Sequence, residues 1–279
     1  MTTLTKITVA LTTCNGAPFL RAQLDSIFGQ TGVKTEVVVC DDASTDGTLS
    51  ILQEYARHYP LSYFCNPMRL GVVGNFQRAM QLSQGDYVAL ADQDDVWLPD
   101  KLQLSLRALQ QAEAECADMP VAVVTDLKVV DAGLHELHAS FWAAQGLFPF
   151  ESTSVEHLVA RNFVTGCTLL MNRKAMDLVL PFPDQVVMHD WWIGLRVKRF
   201  GRLVPLAQQT ILYRQHGRNE VGFVPEQSRT GLALLGKRLR ANLAWFAMIR
   251  QLGFPVNWLR VLWYKVCFHL KAWRNRGKR

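Results

Sequence analysis

Three carboxylates stand within four residues, at Asp92, Asp94 and Asp95, directly after a short apolar run over residues 87–91. Such a run reads as a buried strand, so the acids are expected at its carboxyl end. Carboxylates crowded there repel one another unless a cation or hydrogen-bond donors sit between them. Hard oxygen ligands select Mg²⁺ or Mn²⁺, and those ions readily share their shell with phosphates. A plainer reading is an acidic turn that starts the helix after Pro99, for which one Asp would suffice. Two more strand-like runs end in polar clusters. Residues 7–11 lead into Thr12-Thr13-Cys14-Asn15-Gly16, and residues 37–40 into Asp41-Asp42-Ala43-Ser44-Thr45-Asp46-Gly47-Thr48. For any single cluster a turn is explanation enough; three at successive strand ends point to a shared ligand.

The elements that must position these groups follow from periodicity. Residues 17–30 have helical spacing, with Phe19, Leu20, Leu24, Ile27 and Phe28 on one face. Helices are predicted from Ser44 or Thr45, as cap, through about Tyr59, over residues 72–83, and over residues 99–115, with a third strand at residues 61–65. Strand and helix alternate four times by residue 115, which argues a parallel, doubly wound sheet covered on both faces. Ligands of such sheets gather at the carboxyl ends of the strands. The second half is more mixed. Strands are predicted at residues 121–130, 163–171, 202–206 and 210–214. Helices are predicted at residues 174–180 and from Met188-His189-Asp190-Trp191-Trp192 to Phe200, with a loop of short turns over residues 131–153.

The 279 residues are 49% hydrophobic and 19% charged, enough for a sizeable core and against wholesale disorder. The net charge of +6 hides an asymmetry: residues 231–279 hold eleven Lys or Arg and no Asp or Glu. The body before them is mildly acidic. Six scattered cysteines with no C-x-x-C pair read as free thiols in a reducing compartment. A polar N-terminus running into a strand gives no sign of a signal peptide, and no charge-free apolar run reaches 18 residues. A cytoplasmic protein is expected.

Taken together, five stretches resemble the family 2 glycosyltransferases of the GT-A fold, and more closely their bacterial rhamnosyltransferase-like branch. They are residues 11–16, residues 40–48, Asp92-Gln93-Asp94-Asp95-Val96-Trp97, His189-Asp190-Trp191-Trp192 and Tyr213-Arg214-Gln215-His216-Gly217. The resemblance implies a Rossmann-like, mixed but mainly parallel sheet flanked by helices. Residues 1–225 would be the catalytic domain, with 1–115 binding the nucleotide sugar and 116–225 the acceptor, and 226–279 a basic amphipathic helical tail. It implies transfer of a sugar, with inversion, from a nucleotide-diphosphate donor to a hydroxyl of a cell-surface polysaccharide or lipid-linked glycan precursor. The donor it suggests is dTDP-L-rhamnose, with UDP-sugars next.

Residue by residue, Thr12 and Asp42 match positions that hold the donor pyrimidine, whose N–H needs an acceptor. Arg69 matches a basic position near the nucleotide, or is a surface arginine. Asp92 and Asp94 form the D-x-D element: Asp92 near the ribose, Asp94 on Mg²⁺ or Mn²⁺ bridging the diphosphate. Asp95 supports the loop or, as the lesser alternative, joins the metal ligands. Asp190 matches the general base that takes the acceptor's proton, and it can also cap its helix. The residue before it, often Glu in relatives, is His189. His216 either completes the metal shell or is a satisfied surface histidine. Cys14 replaces a Tyr that stacks on the base in many relatives.

The tail carries its own signal. Trp258, Leu259, Leu262, Val266, Leu270 and Trp273 fall on one helical face, with Arg260, Lys271, Arg274 and Lys278 opposite. Trp245, Trp258, Trp263 and Trp273 are expected as interfacial anchors. A helix lying in the headgroup plane at the inner face of the plasma membrane is one reading; packing on the catalytic domain is the other. Two further functions were weighed. A sugar-nucleotide pyrophosphorylase would want a basic, Gly-rich loop where Thr-Thr-Cys-Asn-Gly stands. A non-enzymatic membrane-surface or nucleic-acid binder leaves Asp92, Asp94 and Asp190 without purpose, and those acids disfavour nucleic acid.

Overall fold

The computed structural model describes residues 4–152, 154–217, 219 and 235–276, the last group without the side chains of 235–242, 269 and 271–276. In chain order the elements are β1 (Lys6–Thr13), α1 (Leu20–Phe28), β2 (Lys34–Asp41), α2 (Thr48–Ala56), β3 (Leu61–Cys65), α3 (Gly71–Leu82), β4 (Tyr87–Ala91), β5 (Val96–Trp97), α4 (Lys101–Glu115), β6 (Val121–Val130), β7 (Glu136–His138), α5 (Phe141–Ala144), α6 (Val155–Ala160), β8 (Leu170–Asn172), α7 (Arg173–Val179), α8 (His189–Phe200), β9 (Arg202–Arg214), α9 (Leu235–Arg250) and α10 (Trp258–Arg276).

The strands form one mixed sheet in the order β3-β2-β1-β4-β8-β6-β9-β5, with β7 added beside β6. Its first four strands are parallel, as the βα alternation requires. Thr12 lies opposite Cys40, Thr13 opposite Asp41, and Leu11 opposite Ala91, so β1 and β2 end level and β4 stops two residues earlier, where the acidic loop begins. That register sets the polar clusters of the three strands side by side. Beyond β4 the direction reverses at β8, which runs antiparallel to both β4 and β6. The short β5 returns to pair with the end of β9, Val96 opposite Leu212. The four residues between β4 and β5, Asp92 to Asp95, therefore bridge the sheet from its middle to its far edge.

Both faces of the sheet are buried, which is why its central strands read as continuous apolar runs. Alternation along β1 sorts its residues: Ile7, Val9 and Leu11 pack with Leu24, Leu52 and Leu102 under α1, α2 and α4, while Ala10 faces Phe76 and Met80 of α3. The second face also holds Trp192 and Ile193 of α8 and Leu158 of α6.

Several predicted boundaries move. Residues 163–171 are not one strand: a 3₁₀ turn at Gly166–Thr168 interrupts them, and only β8 joins the sheet. Their apolar character reflects burial between layers, which a strand and a buried turn share. The two strands predicted at 202–206 and 210–214 are one, β9, whose register against β6 slips between Thr125 and Asp126. That irregularity breaks the period that would have marked a single strand. Neither Ser44 nor Thr45 caps α2; Asp46 Oδ1 accepts from the Thr48 N–H at 3.0 Å instead.

The tail helices pack on the body. Trp245 of α9 is buried against Trp191, and Arg196 donates to the Leu252 carbonyl at 2.9 Å. Trp245 is thus a core residue and not the interfacial anchor expected of it. The α10 face opposite its apolar stripe is itself apolar: Val261 and Phe268 are buried there. The arc of basic residues expected on that side is reduced, among the described side chains, to Arg260 at its flank. Trp273, Lys271, Arg274 and Lys278 lie outside the described side chains. No helix among the described residues is long and apolar enough to cross a membrane.

At the α8–β9 junction Arg202 donates to the Pro120 carbonyl at 2.8 Å, and a Cβ on Gly201 would stand 2.1 Å from that same oxygen. Gly201→Ala should therefore destabilise the protein by about 1–3 kcal/mol, the usual range for overpacking against fixed atoms. Urea unfolding should show a lower midpoint at unchanged slope.

Candidate active site

One edge of the candidate site is built from the ends of β1 and β2. Asp41 is committed to structure: it accepts from the Thr13 hydroxyl at 2.7 Å and from the Ser44 N–H at 2.9 Å. Asp42 points the other way. Its Oδ1 accepts from Asn66 Nδ2 at 2.8 Å and from the Leu70 N–H at 2.7 Å, and its Oδ2 from the Gly71 N–H at 2.9 Å. A carboxylate has about four acceptor positions, so roughly one is left for a ligand. The same bonds fix the loop carrying Arg69, whose side chain is exposed. Asn75 completes the support: its Nδ2 donates to the Cys40 carbonyl at 2.9 Å and its Oδ1 accepts from Asn66 at 2.9 Å. Thr12 is buried, and among the described residues its hydroxyl has no partner. Neither Asn66 nor Asn75 was singled out in the sequence; nothing local marks a loop Asn as a support for a strand end.

The Asp92–Asp95 loop is held at both ends. Gln93 pairs with the backbone of Cys14 as a neighbouring strand would, accepting from its N–H at 2.8 Å and donating to its carbonyl at 3.1 Å. On the opposite side the end of β9 closes over Asp94. His216 Nε2 lies 2.8 Å from Asp94 Oδ2, Asn219 Nδ2 donates to that oxygen at 3.2 Å, and Arg214 Nε donates to the Asp94 carbonyl at 2.8 Å. Phe19, at the start of α1, stacks on His216 with centroids 4.4 Å apart and lies 5.0 Å from the Arg214 guanidinium. Asp95 turns inward, is fully buried, and accepts from the Arg214 N–H at 3.2 Å. Burial, with Asp94 and Asp92 nearby, holds its carboxyl well above the usual range. Its position in the core and its bond to the Arg214 N–H tie the acidic loop to the end of β9. Beneath it the buried Lys101 ammonium sits 3.9 Å above the Trp97 ring, and burial lowers its pKa to about 7.

Asp190 enters from α8, in the first turn, where exposed N–H groups favour an anion. The N–H groups of Trp191 and Gly166 and the Asn162 amide, 3.5 Å away, stabilise its charge, yet burial dominates and its pKa rises to about 7. His189 beside it is buried, stacked on Phe76 at 4.0 Å, and kept neutral by burial, with a pKa of about 3. Asp92 also rises to about 7, first through burial, then through Asp94, then through Asp190. Carboxylates 98 positions apart in the chain thus share one field.

The fit of a divalent cation can be judged on these groups. The tightest cluster of ligand-type atoms joins Asp92, Asp95 and Cys167 within 4.8 Å. Burial holds the Cys167 thiol protonated, and a soft protonated sulfur is a poor partner for Mg²⁺ or Mn²⁺. That cluster is the floor of the site. Asp94 Oδ2 and His216 Nε2, 2.8 Å apart, present a hard oxygen and an imidazole, and Asp92 adds negative charge that a cation would relieve. These residues fit.

The sequence model of Glycosyl transferase family 2 matches residues 8–178. The chain belongs to glycosyl transferase family 2. The matched region contains the ends of β1 and β2 and the Asp92–Asp95 loop and ends before Asp190 and His216. An uncharacterised protein of Mycobacterium tuberculosis is 30% identical over 208 residues, 72% of this chain and 56% of its own length. The chain thus spans about half the length of that relative. The dTDP-rhamnosyl transferase RfbG of Shigella flexneri is 25% identical over 273 residues, 91% of this chain and 81% of the relative. Among solved structures, S. aureus TarS 1-349 in complex with UDP-GlcNAc superposes with a TM-score of 0.64 at 15% identity, covering 95% of this chain and 71% of that one. The mannosyltransferase PcManGT from Pyrobaculum calidifontis, in complex with GDP-Man and Mn²⁺, gives 0.60 at 22% identity, covering 96% and 71%. At those identities the likeness establishes the GT-A fold.

The raised Asp190 carboxyl has a thermodynamic consequence. Between its unfolded value near 3.8 and about 7 the folded state binds the extra proton, so stability falls as pH rises through that window. Asp190→Asn should raise the melting temperature at pH 8, and the gain should vanish near pH 4. Thermal melts of both proteins across that range check it.

Proposed function

We propose that the chain is an inverting glycosyltransferase that uses Mg²⁺ or Mn²⁺ to move a sugar from a nucleoside-diphosphate donor to an acceptor hydroxyl. One observation carries the reading: Asp190, a carboxylate with a pKa near neutrality, shares the sheet edge with Asp92 and Asp94. Similarity to a dTDP-rhamnosyl transferase supports dTDP-L-rhamnose as donor, ahead of UDP-sugars. A hydroxyl of a cell-surface polysaccharide or lipid-linked glycan precursor fits as acceptor. The basic tail favours a cytoplasmic enzyme peripheral to the inner face of the plasma membrane.

In this reading Thr12 and the remaining acceptor position of Asp42 hold the pyrimidine, Arg69 lies beside the nucleotide, and Asp92 meets the ribose. A divalent cation held by Asp94, with His216, would supply Lewis-acid neutralisation of the diphosphate as it leaves. Asp190 takes the acceptor's proton while the hydroxyl oxygen bonds to the anomeric carbon. The anomeric carbon–oxygen bond to the diphosphate breaks, its electron pair leaves with the diphosphate, and configuration inverts.

Asp94→Ala should lose Mn²⁺-dependent nucleoside-diphosphate binding in calorimetry; unchanged affinity would remove Asp94 from the metal. Asp190→Asn should keep donor binding and lose about 10²–10⁴ in transfer rate, the usual share of a general base. Wild-type kcat/KM should fall as pH drops below about 7, where Asp190 takes up its proton. Near-normal turnover by Asp190→Asn across a panel of dTDP- and UDP-sugars would reduce Asp190 to a helix cap.

A further inference from the structure

The described side chains of α10 divide into two apolar faces of different fate. Val261 and Phe268 are buried against the region around α6: the Phe268 ring stands 4.9 Å from His157 and 6.4 Å from Phe148, and Tyr264 is 5.1 Å from His157. On the other side Leu259, Leu262, Trp263, Val266 and Leu270 recur at i, i+3, i+4, i+7 and i+11 and span about 100° of the helix. All five face solvent, Leu259 at 80% and Trp263 at 65% exposure. Of the seventeen exposed large hydrophobic residues among the described ones, eight fall between Leu243 and Leu270, so they form a patch and not the usual scatter. A helix that needed only to pack on the domain would not carry this second stripe.

Charge decides the occupant. Residues 231–279 hold eleven basic and no acidic residues. Arg260 and Lys265 stand on either flank of the stripe, Arg260 4.0 Å from Glu156 and the Lys265 ammonium 4.7 Å from the Trp245 ring, positions from which long cationic side chains can turn to headgroups while their stems lie on apolar surface. A second copy seated on this face would bring together two segments rich in cations and without acids of their own, and no described helix can span a bilayer.

We infer that the outer stripe of α10, Leu259–Leu262–Trp263–Val266–Leu270, seats the protein in the headgroup layer of an anionic bilayer. This deepens the peripheral placement proposed above by naming the face, and it does not depend on the transfer chemistry. It also fixes which side of the cleft meets the lipid. α10 rests on α6, whose chain continues directly into Arg161, which lies 5.6 Å from the Phe268 ring, and Asn162, which contacts Asp190. The stripe is therefore joined to the proposed base and acceptor side, not to the nucleotide edge.

The test uses the full chain and vesicles of phosphatidylcholine with and without phosphatidylglycerol, in the absence of donor. Full-length protein should co-sediment with the anionic vesicles, and 0.5 M salt should weaken binding only in part. Leu262→Asp and Trp263→Asp should each weaken partitioning by at least about tenfold, from the transfer free energy of one large apolar side chain. Leu137→Asp, at an exposed site in β7, should leave it unchanged. Brominated lipid should quench tryptophan emission in the wild type, and Trp263→Phe should remove most of that quenching. Donor hydrolysis in solution is measured on the same variants and should not move, which separates failure of this contact from failure of the transferase reading. Wild-type binding by the Asp variants would overturn the face assigned. Absence of anionic-vesicle binding would overturn the lipid contact, as would a dimer in sedimentation velocity that Leu262→Asp dissociates.

Discussion

Mutual repulsion among carboxylates at the carboxyl edge of the sheet governs the arrangement of this site. Asp92, Asp94, Asp95 and Asp190 converge there, and burial raises the free energy of the charges on Asp92, Asp95 and Asp190. The fold answers with different devices at each position. Asp95 is turned into the core and kept protonated. Asp94 is met by His216 and Asn219 from the end of β9. Asp190 is placed where the N-terminus of α8 and the Gly166 N–H soften its charge without cancelling it. Asp92 has the least relief and is left most dependent on what binds. Folding thus leaves a residual preference for positive charge at one point, the condition that the proposed cation would meet.

The sequence was most legible where structure is local. Buried parallel strands followed by amphipathic helices leave continuous apolar runs and 3.6-residue spacing, so the order through α4 could be read directly. The acids at 92–95 and 190 stood out because charge at a buried strand end or a helix start is costly without a task. Contacts that close over long separations were not legible. Gln93 meets Cys14 across 79 positions and Asn219 meets Asp94 across 125, and neither pairing leaves a periodic trace. The resemblance placed His216 near the metal position, but not Phe19 stacked beneath it. In β9 the slip against β6 erased the period of two that would have joined its halves.

The tail shows a similar limit. Its composition separated it from the body, but composition could not choose between packing and lipid contact. α10 does pack, through Val261 and Phe268, and still leaves a second apolar stripe outward. Trp245 illustrates why residue type misleads: an indole suits an interface and a core equally, and here Trp191 decides the matter.

The pairing of Gln93 with Cys14 has a consequence for exchange of parts between relatives. A Cβ on Gly16 would come 2.1 Å from Gln93 Oε1, so the first turn and the acidic loop are a matched set with a shared shape. A transplanted β1 loop lacking glycine at that place would displace the side chain that registers Asp92 and Asp94. Grafts of either segment must therefore carry residues 12–16 and 92–95 together, as one cassette drawn from two distant stretches of chain.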